Sequence, residues 1–212
     1  MDDEQRSQLN DKQRQAFDNV YDRFLVDLPQ DVCKRMARVI SAPAIKEAEA
    51  VLDVGTGTGA LIPDIRKYQP GRIYACDLSS KMLEQVARRY PEVERHQCDI
   101  RDLDLPDASV DVVFMNGMYG NIVDKPGAIK NIVRMLRPGG RVVISHPEGR
   151  IYVERLVRSE PFPITALPSE DEAHSFLGSF GLTVDQYTDE EKLLIVVAGK
   201  DEEYCASPGP SK

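Results

Sequence analysis

The chain has 212 residues, 42% hydrophobic and 29% charged. That composition is too apolar for a disordered chain, and the length supports a core that needs neither disulfides nor a structural metal. Its 27 basic residues stand against 35 acidic ones, for a net charge of −8. This balance excludes a generic binder of nucleic-acid phosphates, which requires a cationic face. No apolar run approaches the roughly 18 residues of a membrane span, and the opening MDDEQRSQLN is acidic and polar, unlike a cationic signal peptide. The expectation is a cytoplasmic protein with no nucleic-acid and no membrane partner. Cys33, Cys76, Cys98 and Cys205 lie far apart without a CxxC pair, as suits reduced thiols. His96 and Cys98 form an H-x-C fragment with no second half nearby, which reads as strand residues and gives no metal site.

In chain order, two amphipathic stretches come first, residues 11–25 and 30–40, broken at Pro29. They form either a cap over a ligand crevice or a packed extension, and Tyr21 and Phe24 are their notable residues. Residues 50–54 (AVLDV) read as a strand ending in the glycine-rich turn 55–59, followed by a helix over 60–68. A second strand is predicted over 72–76 and a helix over 81–90, where Met82, Leu83, Val86, Ala87 and Tyr90 share one face and Ser79 or Ser80 caps it. Residues 93–98 form a weaker third strand and 110–115 (VDVVFM) a clear fourth. In 128–136, Ile129, Ile132, Val133 and Leu136 recur at helical spacing, and Pro138-Gly139-Gly140 is expected to stop that helix before a fifth strand over 141–145. Residues 146–168 read as a long connection.

Ser169 and Glu172 make a capping box, predicting a helix from about Glu170 to Phe180. Two strands, 182–187 and 193–198, then pair as a hairpin around the polar turn 188–191. Strands alternating with helices imply an α/β fold, a Rossmann-like, doubly wound, mostly parallel sheet to which the hairpin adds an antiparallel strand. The organisation expected is a helical cap over 1–45, the sheet domain over 46–200 and a frayed tail over 201–212.

In such a sheet ligands bind beyond the carboxyl ends of the strands, so the first glycine turn carries most of the functional information. Gly55, Gly57 and Ala60 also satisfy the dinucleotide pattern G-x-G-x-x-G/A, which alone is a weak signal. Two further features separate the readings. Asp53 lies on an otherwise apolar strand, where a buried carboxylate is costly without a partner such as a cationic amino-acid ligand. Asp77 lies about 20 residues past Gly55, the spacing at which a carboxylate grips a ribose hydroxyl. Asp99, after the third strand, is placed to accept an exocyclic amine. The bland alternatives are a strand-end acid satisfied by backbone amides for Asp53 and ordinary loop acids for the other two. Three acids around a tight glycine turn suit a ribose, an adenine and a cationic tail better than a pyrophosphate.

The segments VLDVGTGTGAL, CDLSSKMLEQVARR, Cys98-Asp99-Ile100, LPDASVDVVFMN and MLRPGGRVVIS, in that order over residues 50–145, resemble the class I S-adenosylmethionine-dependent methyltransferases. The resemblance implies that Asp53, Gly55, Gly57 and Gly59, with Thr56 in the same turn, face the methionine part of the cofactor. It implies Asp77 on the ribose, Leu78 on adenine, Asp99 and Ile100 at the adenine edge and Asn116 beside the methyl group. Tyr21 is counted among the cofactor-binding candidates.

On the acceptor side, His146 at the end of the fifth strand is the candidate general base, against the alternative of a loop histidine held by hydrogen bonds. Tyr119 is the other catalytic candidate, an aromatic face beside the transferred methyl. Asn116-Gly117-Met118-Tyr119 lacks both prolines of the Asn/Asp-Pro-Pro-Tyr/Phe sequence carried by amino-methylating enzymes, so exocyclic-amine substrates lose support. Arg150, Arg155 and Arg158 either meet an anionic acceptor or are simply solvated. No G-x-S-x-G turn supports a hydrolase. The function expected is methyl transfer from S-adenosyl-L-methionine to a small-molecule acceptor. The alternatives are a nicotinamide-dependent oxidoreductase or a non-catalytic cofactor-binding module, and the oligomeric state is left undetermined.

Overall fold

The structure, a computed structural model, describes residues 2–160 and 162–202. Cys205 and residues 203–212 of the expected tail lie outside the described residues. The polar opening of the chain is helical. Asp2 caps helix α1 (Asp3–Val20) by accepting the Gln5 N–H at 2.8 Å, and Asp3 and Glu4 place negative charge in its first turn. The helix therefore begins well before the amphipathic stretch expected from residue 11. A short 3₁₀ turn (Tyr21–Phe24) follows, and Pro29 precedes α2 (Gln30–Ser41), which buries Met36, Val39 and Ile40.

Seven strands form one sheet: β1 (Ala50–Val54), β2 (Arg72–Asp77), β3 (Glu94–Gln97), β4 (Val110–Asn116), β5 (Leu136–His146), β6 (Leu182–Glu190) and β7 (Leu193–Lys200). Their spatial order is β3-β2-β1-β4-β5-β7-β6. Strands β1 to β5 pair in parallel, and β7 enters antiparallel between β5 and β6. Alternation sends Leu52, Val113, Met115 and Ile144 to one face, and Val51, Phe114, Val143 and Val197 to the other. Helices α2, the short α3 (Ile62–Ile65) and α4 (Ser80–Arg89), through Val86, cover the second face; α5 (Lys125–Met135) and α7 (Glu170–Gly178) cover the first. The strand order reverses between β1 and β4, which fixes the crevice at the ends of those two strands.

Several expected boundaries move. The helix after the glycine turn begins only at Ile62, with Pro63 in its first turn where a missing N–H is harmless, and passes at Arg66 into a 3₁₀ turn that Gln69 closes in the left-handed region at φ 52°. Helix α5 stops at Met135, ahead of Pro138-Gly139-Gly140, because Leu136 turns extended and pairs with Val110. Those three residues instead belong to the irregular start of β5, where Gly139 has φ 72°. The polar turn expected at 188–191 is mostly strand; Glu190 pairs with Leu193, leaving only Glu191 and Lys192 as the turn.

The connection expected over 146–168 contains helix α6 (Gly149–Ser159). This helix sets Val153 and Leu156 on the core but leaves Ile151, Tyr152 and Val157 exposed, so its apolar residues spread around the helix and give no clean stripe in sequence. Arg150 is neither solvated nor aimed at a ligand. It donates to Asp189 at 3.0 Å and to the carbonyl oxygens of Leu167 and Pro168 at 2.5 and 2.7 Å, tying α6 to the segment before α7 and to β6. Arg155 and Arg158 are exposed. No helix among the described residues is long and apolar enough to cross a membrane, and no group of three or more His, Cys, Asp or Glu there is placed to hold a metal.

Gly149 has φ 71°, and a Cβ on it would lie 2.7 Å from the Glu191 carbonyl oxygen and 3.0 Å from the Leu193 nitrogen. Gly149→Ala is therefore expected to lose about 2 to 3 kcal/mol, combining left-handed strain with a backbone clash. Thermal denaturation checks this, with a fall in Tm of about 2 to 4 °C per kcal/mol for a chain of this size.

Candidate active site

The turn after β1 is wound back on β2. Gly55 and Thr56 donate their N–H groups to the Cys76 carbonyl oxygen at 2.7 and 3.2 Å, Gly57 donates to Asp77 Oδ2 at 2.9 Å, and Gly59 donates to the Thr56 carbonyl oxygen at 2.9 Å. Gly55 and Gly57 adopt φ 63° and 55°. A Cβ on Gly55 would meet Met118 Cγ at 2.7 Å, whereas nothing lies within 4 Å of one on Gly57. Gly57 thus borders open space that a ligand can approach closely. With these N–H groups taken and a carboxylate beside them, the turn does not offer the amide cradle that a pyrophosphate requires.

Asp53 is 2% exposed, and the bond it accepts from Thr56 Oγ1 at 2.7 Å is its sole hydrogen bond among the described residues. Burial pushes its carboxyl up to about 7, and the charge of Asp77 acts in the same direction. Asp77 Oδ1 accepts from Ser79 N–H at 2.9 Å, and burial raises this carboxyl as well. Two neighbouring acids, each raised by burial, form an acidic pocket whose charged forms a cationic ligand would stabilise.

Asp99 is already engaged. Its Oδ1 accepts the Arg101 N–H at 3.0 Å, and its Oδ2 accepts from Arg6 Nη1 at 2.9 Å and Asn10 Nδ2 at 2.6 Å, both on α1. Asp18 further along α1 accepts from Ser79 Oγ at 2.5 Å, and the Phe24 carbonyl oxygen accepts from Thr58 Oγ1 at 2.8 Å. The N-terminal segment therefore lies across the ends of β2, β3 and the glycine turn. Sequence reasoning missed Arg6, Asn10 and Asp18, since polar residues on a helix give no signal of which distant carboxylate they meet. The Tyr21 ring carries the Lys81 ammonium at 5.6 Å. Leu78 is half-buried, while Ile100 is buried in the core and its carbonyl oxygen accepts from Asn131.

On the acceptor side, Asn116 Oδ1 accepts from Ser145 Oγ at 2.9 Å, across the β4–β5 pair, leaving the amide nitrogen as a donor. Tyr119 is buried, its hydroxyl pushed up to about 12 by burial, with the Lys125 ammonium 5.1 Å from its ring centre. Burial lowers Lys125 to about 8, and its Nζ donates to the Ile122 carbonyl oxygen at 2.9 Å. His146 is buried, and its Nδ1 accepts the Glu148 N–H at 3.1 Å. That bond assigns the ring proton to Nε2, and burial lowers the imidazole to about 4. Such a ring is neutral near pH 7 and presents a donor. Its basic lone pair is occupied. Above this region the Gln13 side chain donates to the Asn121 carbonyl oxygen at 2.9 Å, Thr165 N–H donates to the Gly120 carbonyl oxygen at 2.9 Å, and the Phe17 and Phe162 rings lie 5.8 Å apart.

A doubly wound seven-stranded sheet with its last strand antiparallel, a glycine turn gripped by the acid of β2, and an anionic pocket at the switch point define a class I S-adenosylmethionine-dependent methyltransferase. The chain belongs to the methyltransferase domain family, which matches residues 52–144. It is 31% identical to a demethylmenaquinone methyltransferase from Paenarthrobacter aurescens over 76% of this chain and 68% of that protein. It is 32% identical to a malonyl-[acyl-carrier protein] O-methyltransferase from Halorhodospira halophila over 62% of this chain, a match spanning 46% of that protein. Among solved structures, a chain of the Haloferax volcanii complex containing the Trm112 methyltransferase activator superposes with a TM-score of 0.74 at 21% identity, over 90% of this chain and 98% of that one.

The raised carboxyl of Asp53 has a consequence for stability. A carboxyl held higher in the folded chain than in the unfolded one stabilises the fold below the unfolded value of 3.8 and loses that contribution as pH rises through about 7. Asp53→Asn, neutral throughout, is therefore expected to be more stable than the wild type at pH 8, by up to about 4 kcal/mol. The gap should close as pH falls below about 4. Urea denaturation across that range measures it, and a variant less stable at pH 8 would contradict the assignment.

Proposed function

We propose that the chain transfers the methyl group of S-adenosylmethionine to a small-molecule acceptor held in the crevice bordered by Asn116, Tyr119 and His146. The observation that carries this reading is the roof. Helix α1 and the segment after α6 meet over the end of β4 through the Gln13–Asn121 bond and the Phe17–Phe162 contact, a cover that favours a small acceptor over a macromolecular surface. The acyl-carrier-protein acceptor named for the Halorhodospira relative favours a second reading, in which the acceptor arrives on a carrier.

The residues present fit the cofactor. Asp53, with its single hydrogen bond from Thr56, is the counter-charge for an ammonium, and the open side of Gly57 gives the backbone room to approach. Asp77 would hold the ribose, Leu78 and Ile100 would flank adenine, and Asp99 would take its amine while sharing its carboxylate with Arg6 and Asn10. Tyr21 and Lys81 would close the outer side. When bound, the cofactor supplies an electrophilic methyl group on a leaving group that departs as a neutral thioether, so positioning carries much of the rate.

His146 acts here through its Nε2 proton. With Nδ1 occupied by the Glu148 N–H, it orients an acceptor oxygen and does not take its proton. Asn116 contributes a second donor from the adjacent strand. Two donors suit an acceptor that enters already nucleophilic, such as a carboxylate, an enolate or a phenolate.

S-adenosylhomocysteine at 100 times its dissociation constant should stabilise the fold by about 2.7 kcal/mol in a thermal-shift measurement. No shift at millimolar ligand would falsify the cofactor assignment, and Asp77→Ala should weaken the binding. Radiolabelled cofactor incubated with a cell extract should place label in the fraction that passes an ultrafilter; label retained entirely on protein would favour the carrier-borne reading. His146→Ala should lower turnover while S-adenosylhomocysteine affinity is kept. Because the ring is already neutral well below pH 6, the wild-type rate should show no step near the ordinary histidine value. A rate that rises with an apparent pKa of about 6 to 7 and loses that step in the variant would restore His146 as a base.

A further inference from the structure

We propose that Cys76 and Cys98 form an oxidation site, a dithiol that a peroxide converts to a disulfide, and that this disulfide weakens cofactor binding at the adjoining Asp77 and Asp99. The disulfide rests on the thiols alone; its effect on the cofactor rests on the function proposed above.

The two cysteines lie on neighbouring parallel strands at their carboxyl ends. Cys76 is in β2, paired with His96, and Cys98 follows Gln97, the last residue of β3. Their sulfurs are 3.7 Å apart. A disulfide requires about 2.05 Å, so the sulfurs must approach by less than 2 Å. Cys98, one residue beyond the paired strand, has the backbone freedom to supply that movement. Cys76 is 1% exposed whereas Cys98 is half-buried, so a small oxidant reaches Cys98.

The chemistry divides in the same way. The thiols lie within hydrogen-bond reach of each other, either able to donate, and the Cys76 thiol also reaches the Cys98 carbonyl oxygen at 3.3 Å; the contact between them holds the Cys98 thiol below its ordinary value, while it and burial push Cys76 up. The acids nearby, Asp77, Asp99 and Asp102, oppose ionisation of these sulfurs, and Arg6 faces the same group by bonding Asp99 and Asp102. The Cys98 thiolate attacks the peroxide, the O–O bond breaks, and Cys98 becomes a sulfenic acid as the departing oxygen takes a proton and leaves as water. The Cys76 sulfur then attacks the Cys98 sulfur. The S–S bond forms, the S–O bond breaks, and the hydroxyl leaves with the Cys76 proton as a second water. Two thiols are oxidised and one peroxide is reduced to two waters.

Both cysteines directly precede the acids of the site. The Cys76 carbonyl oxygen also receives the Gly55 and Thr56 N–H groups, and Asp77 Oδ2 receives that of Gly57. Drawing the sulfurs together therefore shifts Cys98 and the Asp99 that follows it, and ties them to the end of β2 from which the glycine turn hangs. Sites of this kind tolerate displacements of only about 0.5 Å.

The test uses the full chain carrying Cys33→Ser and Cys205→Ser, so that Cys76 and Cys98 are the remaining thiols. After hydrogen peroxide treatment, denaturation and iodoacetamide, mass spectrometry should find the chain lighter by two hydrogens and unalkylated, and dithiothreitol should reverse this. Calorimetry should find S-adenosylhomocysteine bound about tenfold or more weakly by the oxidised form. Two alkylated thiols after peroxide, or a sulfinic acid on Cys98 beside an alkylated Cys76, would overturn the proposed site. Unchanged affinity in the disulfide form would overturn the coupling, whereas a reduced chain that fails to bind S-adenosylhomocysteine would count against the methyltransferase site instead. Adding Cys98→Ser must abolish the peroxide response; a surviving loss of affinity would place the effect elsewhere and refute the pair.

Discussion

The attachment of the glycine turn to the end of β2 is the constraint on which the site depends. The Cys76 carbonyl oxygen and the Asp77 carboxylate together accept three consecutive N–H groups, those of Gly55, Thr56 and Gly57. The turn thereby loses the donors that make a phosphate cradle and gains a negative charge. The same sheet with a free set of amides would suit a dinucleotide. Here the electrostatics run the other way, and Asp53 beneath the turn, its carboxyl raised to about 7 by burial, adds to an environment that favours a cation. A carboxylate disfavoured by burial gains when a positive charge comes beside it, which is the physical basis of the cationic-ligand site proposed for Asp53.

The N-terminal segment is the second determinant. It is bound by polar contacts more than by apolar burial: Arg6 and Asn10 on Asp99, Asp18 on Ser79, Gln13 on Asn121, Phe24 on Thr58. Of all the residues of α1, the buried one is Gln13. Segments held in this way open at lower free energy than the core does, which suits an element that must admit ligands while excluding water from the reacting groups. The sheet beneath needs no such freedom, and its central strands are sealed on both faces.

How much of this was legible in the sequence follows from how local each signal is. The strand–turn–helix pattern, the acids Asp53, Asp77 and Asp99, and the Ser169–Glu172 capping box are set by near neighbours in the chain, and each stands in the structure where the spacing put it. Boundaries failed where a distant partner decided them. Leu136 left its helix to pair with Val110, and the turn expected at 188–191 was drawn into the hairpin. Helix α6 escaped notice because its core-facing residues Val153 and Leu156 stand among the exposed Ile151, Tyr152 and Val157, which blurs the apolar stripe.

The sequence by itself determined the fold class, the family and the placing of three acids at or beside the strand ends, because glycine conformation, hydrophobic period and strand-end position are written in consecutive residues. Only the tertiary structure decided the state and partners of those groups. It set the Glu148 N–H on His146 Nδ1, engaged Asp99 with two residues of a helix that the sequence left as polar chain, and brought the Cys76 sulfur within 3.7 Å of that of Cys98. These depend on which side chains meet across the sheet, and burial, which sets the charge of each, exists only once the chain has folded.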